Sequence, residues 1–162
     1  MLNANIAEER RKIVKESDEL IVISKSILAA ALNKMRAIFG EDVICTLLYH
    51  VGRAIGLAIR DEYLDNNGSS LTDQEGLREI LQKARDIGFI RLSSVDTKSG
   101  ILKVIVDFTP DEICVEKSSP YPLLRGLIDG LLGNGRASII DVRKGKELAE
   151  IYFLINGGLR WW

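Results

Sequence analysis

The chain has 162 residues and a mass of 18.0 kDa, enough for one domain and a short arm but too little for two full domains. Hydrophobic residues make up 46% and charged residues 28%, which excludes a natively disordered chain and predicts a core that needs neither disulfides nor a structural metal. With 22 basic against 23 acidic residues there is no bulk attraction for nucleic acid or an anionic membrane.

Residues 1–18 alternate in charge and place few large apolar groups, Ile6, Ile13 and Val14 being the main exceptions, so they read as an exposed helix or arm. Glu8, Glu9, Arg10, Arg11, Lys12 and Lys15 stand where a secretory signal would need an apolar stretch. A cytoplasmic location is therefore expected, with Cys45 and Cys114 reduced. Glu19 to Ile23 is a β-branched run that predicts a strand, and Ser24 or Ser26 can cap the helix that follows to about Phe39. That helix holds the longest uninterrupted apolar run, Ile27 to Leu32, far short of the ~20 residues of a membrane helix, so no span is expected.

After Gly40, a long helix is predicted from Glu41 to Leu64, closed by the turn formers Asp65, Asn66, Asn67 and Gly68. Val43, Leu47 and Ala54 form one apolar stripe and Ile44, Leu48, Val51, Ile55 and Ile59 the next, so its apolar face is broad. A third helix runs from a cap at Thr72 or Asp73 through Ile87, with Leu77, Ile80, Leu81 and Ala84 inward. The period then changes. Phe89 to Val95 and Ile101 to Phe108 read as a hairpin, Leu123 to Leu132 as a proline-entered helix, and Ala137 to Arg143 with Leu148 to Ile155 as a second hairpin. The pattern predicts an α+β fold, helices packed on an antiparallel sheet made of two hairpins with a helix inserted between them.

No standard catalytic constellation is present. His50 is the one histidine, no nucleophile elbow or phosphate loop occurs, and no paired cysteines or histidines have zinc spacing. His50 reads either as a half-buried imidazole offered to a ligand or metal, or as a hydrogen-bonded histidine at the core edge. Cys45, Tyr49, Gly52 and Gly56 share one helix face, where the glycines admit another backbone or a flat ligand. Cys114 is a reactive thiol if exposed and a small buried hydrophobe otherwise. Arg136, Arg143, Lys144 and Lys146 flank one hairpin as anion binders or solvated turn residues, and Trp161 and Trp162 suggest docking of the tail.

Three stretches carry a family resemblance over about residues 19–156. They are Tyr49-His50-Val51-Gly52-Arg53-Ala54-Ile55-Gly56, then Ser119-Pro120-Tyr121-Pro122 with Gly126 and Gly130, then Gly133-Asn134-Gly135-Arg136. In order and spacing the chain resembles the 4-vinyl-reductase domain family, whose members bind aromatic effectors or assist chlorophyll synthesis and share a fold with trafficking-complex subunits that enclose a hydrophobic tunnel. The resemblance implies a binder of a small apolar or aromatic molecule without turnover. It also implies that the zinc site of many relatives is missing, because Tyr121 or Pro122 stands in place of one cysteine and Asp141 to Tyr152 contains none.

The expected organisation is an arm at 1–18, a binding domain at 19–156 and a tail at 157–162, forming a homodimer. The expected pocket uses the room left by Gly52, Gly56 and Gly126, walls from Ile44, Leu48, Phe108, Leu123, Leu127 and Phe153, and a polar contact from Tyr49 or His50. Replacing Gly52 or Gly56 by Leu should then abolish ligand binding with the fold retained. The alternative is a protein–protein assembly module without ligand, with a protein partner in trans. The last reading is an enzyme using His50 or Cys114, for which no second catalytic group can be assigned.

Overall fold

The computed structural model describes residues 24–67, 74–86, 90–96, 99–106, 114, 121–133, 137–145 and 148–155. Helix α1 (Lys25–Phe39) begins where the Ser24 side chain accepts from the Ile27 backbone N–H at 3.2 Å, satisfying one of the donors a helix start leaves open. It stops at Gly40, at φ +84°. Helix α2 (Glu41–Asn67) follows at once with Glu41 and Asp42 in its positive first turn. It runs through Asp65, Asn66 and Asn67, the residues expected to form its closing turn.

Helix α3 (Gln74–Asp86) buries the four residues its spacing marked, Leu77, Ile80, Leu81 and Ala84. Strands β1 (Leu92–Asp96) and β2 (Ile101–Val106) form the first hairpin, α4 (Pro122–Leu132) the inserted helix, and β3 (Ala137–Lys144) with β4 (Ala149–Ile155) the second hairpin. Pro122 enters α4 at its first position, and Gly133, at φ +77°, closes it by donating to the Asp129 and Gly130 carbonyls.

The architecture is α+β: among the described residues, four helices and a four-stranded antiparallel sheet in the order β1-β2-β4-β3. The two hairpins join through β2 and β4, with Leu102 opposite Phe153 and Val104 opposite Ile151. All four of these side chains are buried on the helix side. A β-bulge between Ile139 and Asp141 keeps β3 in step. Ile139 and Val142 are three apart, so a plain strand would point them to opposite faces. The extra residue, Ile140, is turned out to solvent, and Ile139 and Val142 both pack against the core.

Two apolar clusters result. The larger joins α3, α4, the sheet and the C-terminal half of α2. The smaller holds Leu32 of α1, Ile44 and Leu48 of α2, Leu123 of α4, and Cys114.

Cys114 is fully buried and forms a disulfide with Cys45, their Cα atoms 6.0 Å apart. This corrects the expectation of two reduced thiols, which rested on compartment alone; a sequence separation of 69 says nothing about where the chain returns. The bridge ties the N-terminal part of α2 to residue 114, closing a long loop in the unfolded chain, which stabilises by up to about 4 kcal/mol. Cys114→Ser is expected to lower the stability measured by chemical denaturation toward that extent. A reductant added to the wild-type chain should lower it by the same amount, without further effect on the variant.

The calls at 1–18, Glu19 to Ile23, the Thr72 and Asp73 cap, Ile87, Phe89, Phe108, Arg136, Lys146 and the tail at 157–162 lie outside the described residues.

Candidate functional site

The face of α2 singled out by sequence lies directly on α4, but it holds no room. A Cβ built on Gly52 would run into the Leu123 carbonyl, and one on Gly56 into the Leu127 carbonyl. The relation is mutual: a Cβ on Gly126 would meet the Tyr49 carbonyl, and one on Gly130 the Arg53 carbonyl. Contacts advance together along both chains, so the helices run in the same direction with their backbones touching over two successive turns. The glycines bring helices together, and the expectation that Gly52, Gly56 and Gly126 leave space for a ligand is corrected here. Each missing side chain is replaced by a neighbouring backbone.

The expected walls separate as well. Ile44, Leu48 and Leu123 belong to the small cluster, while Leu127 and Phe153 lie in the main core.

Tyr49 is half-buried on the same seam. Its hydroxyl donates to Asp129 Oδ2 at 2.9 Å, and the Arg125 guanidinium lies 5.3 Å from the ring centroid. Burial first, and then the hydrogen bond to Asp129, raise the Tyr49 hydroxyl above its ordinary value, so it keeps its proton and acts as a donor. Asp129, 1% exposed, also accepts from the Ala137 backbone N–H at 2.6 Å. One carboxylate thus joins α2, α4 and the first residue of β3 through charge-assisted bonds. Asp129 escaped the sequence reading, though a visible signal existed: an acid inside the apolar run Leu127 to Leu131 is costly to bury unless something binds it. His50 is exposed and touches Tyr49 edge-on, centroids 5.4 Å apart.

With Cys45 and Cys114 bonded to each other, neither offers a thiolate to a metal. Among the described residues no group of three or more His, Cys, Asp or Glu side chains converges.

On the sheet face away from the helices, Lys103 pairs with Glu150 at 2.9 Å, and the Tyr152 hydroxyl donates to the same carboxylate at 2.9 Å. Arg143, paired with Asp141 at 3.0 Å, lies 5.0 Å from the Tyr152 ring centroid, with Lys103 at 5.6 Å. Lys103 first, then Tyr152, hold the Glu150 carboxyl below its ordinary range, and Glu150 in turn raises Lys103. Two cations and two carboxylates neutralise one another around one ring, so Arg143 is a member of a balanced network on this face.

The most conspicuous surface feature belongs to α1 and α2. Val43, Leu47 and Val51 are exposed at 55%, 44% and 42%, and Ile38 and Phe39 at the α1–α2 corner at 72% and 56%. Ala54 and Ala58 continue the α2 row, also exposed. The broad apolar face read from sequence is thus divided, with Ile44, Leu48 and Ile59 inside. By length and composition, Glu41–Asp65 within α2 is long and apolar enough to cross a membrane. Its opposite side, however, is committed to α4, and Tyr63 near its end is buried and bonds Glu79 at 2.7 Å.

No family model and no curated protein matches this chain.

Gly56→Ala and Gly126→Ala should each force α2 and α4 apart, at a cost of about 2 kcal/mol or more, since backbone atoms cannot step aside as a flexible side chain can. Thermal denaturation checks this. Gly52→Leu should fail to fold, in place of the folded, ligand-free protein expected from sequence.

Proposed function

We propose that this chain is a binding domain without turnover whose main working surface is the exposed apolar row on α2 and the α1–α2 corner, docking protein. The observation that carries the reading is the row itself. Five large apolar side chains, Ile38, Phe39, Val43, Leu47 and Val51, lie exposed on adjoining turns, where scattered single residues would call for no explanation. The 4-vinyl-reductase resemblance agrees with it, since the fold that the resemblance implies also serves trafficking assemblies.

Changing Val43 and Leu47 to Glu and Val51 to Lys together tests this. Because these side chains face solvent, the melting temperature should stay within about 5 °C of wild type. In a gradient of whole-cell lysate the wild-type chain should sediment well above its 18.0 kDa monomer mass, and the triple variant at that mass. A wild-type chain that is a free monomer both in lysate and when purified at about 100 µM, or a heavy complex surviving in the variant, overturns the reading.

A second reading, binding of a small apolar or aromatic molecule, rests on the small cluster. Leu32, Ile44, Leu48 and Leu123 form a small apolar group apart from the main core, bordered by half-buried Leu28, Met35 and Cys45. Met is adaptable, and α1 contributes Leu32 to this cluster with Leu28 and Met35 beside it. Native mass spectrometry beside a denatured control should then show a few hundred daltons of bound molecule per subunit, reduced by Leu48→Trp. A clean apo mass that no hydrophobic probe changes removes this reading.

A further inference from the structure

We propose that the partner on the α2 row is a second copy of this chain, its α2 antiparallel to the first about a two-fold axis near residues 50 and 51; the inference rests on the docking reading above. Position by position, the exposed row is large at one end and small at the other: Val43, Leu47 and Val51, then Ala54 and Ala58. A stripe graded in this way complements itself only when reversed. In the register that sets Leu47 against Ala54 of the second copy, Val43 also falls against Ala58, and Val51 meets its own counterpart beside the axis. A parallel pairing would instead place Leu47 on Leu47 and Ala54 on Ala54, crowding one end and leaving a gap at the other.

Charge agrees with the reversed arrangement. Past Ala58 the same face turns acidic with exposed Asp61 and Asp65. At the other end stands exposed Arg36, whose backbone carbonyl accepts from Gly40 N–H at 2.9 Å and which therefore sits at the α1–α2 corner. Antiparallel packing brings the Arg36 corner of each copy to the acidic end of the other, while parallel packing sets acid against acid. The row from Val43 to Ala58 is about 22 Å long at 1.5 Å per residue. With Ile38 and Phe39 at the corner it is a narrow strip beside a standard interface of about 800 Å² per partner, so the dimer is a weak one.

The purified full chain at about 100 µM, a concentration that populates weak dimers, should sediment at twice the monomer mass, and Leu47→Glu should weaken the dimer about 100-fold. Single cysteines then read the geometry, with Cys45 and Cys114 already bonded to each other. Val51→Cys should cross-link to itself on mild oxidation. Ala58→Cys alone should not, because its two copies lie about 22 Å apart along the axis, yet it should link to Val43→Cys when the two variants are mixed. Self-linking of Ala58→Cys would overturn the antiparallel arrangement. A monomer at that concentration overturns self-docking, and if the chain is still heavy in lysate, the row docks another protein and only the present inference falls. Association of the purified chain with neutral lipid vesicles in place of dimerisation overturns both.

Discussion

Contact between the backbones of α2 and α4, made possible by Gly52, Gly56, Gly126 and Gly130, is the constraint on which the rest of the molecule depends. Side chains between two helices normally keep their axes 8–10 Å apart. Here neither helix presents one at the points of contact, so each occupies space the other leaves. Only at that separation does the Tyr49 hydroxyl reach Asp129, and Asp129 in turn fixes the start of β3. The sheet is thereby registered against the helix pair by a carboxylate that no exposed position could have held so firmly. Polar bonding and close packing act on the same few residues, and neither would be satisfied without the other.

The closeness of the seam also governs where binding can happen. A glycine stripe looks the same in sequence whether it admits a ligand or a neighbouring backbone, and close packing favours the neighbour whenever a second helix carries matching glycines. With the seam shut, the apolar surface of α2 that does not face α3, α4 or the small cluster has no partner among the described residues. It stands outward, as the row from Val43 to Ala58. A helix asked to serve the core and to present an outer surface needs a broader apolar face than a core helix alone, and that breadth was visible in the double stripe read from the chain.

The Cys45–Cys114 bridge belongs to the same economy. Cys114 is a member of the small cluster and Cys45 packs against it, so a covalent tie between α2 and residue 114 adds to what burial supplies there. Disulfides persist in oxidising surroundings and are rare in a reducing cytosol. The reduced state expected of Cys45 and Cys114 rested on compartment alone, and the fold brings the two together.

The amino-acid sequence by itself determined the element order and the α+β class, because hydrophobic period and turn formers act over a few residues. Helix α1 ends at Gly40, α3 buries Leu77, Ile80, Leu81 and Ala84, and β2 and β4 alternate as their residues dictate. Tertiary structure alone decided what the glycines were for, which stripe of α2 went inside, that Asp129 had two partners, and that Cys114 returned to Cys45. Each of these depends on residues distant in sequence meeting in space: Tyr49 and Asp129 are 80 positions apart. A local pattern can state that a side chain is missing or a charge is out of place, but what fills the gap or neutralises the charge comes from another part of the fold.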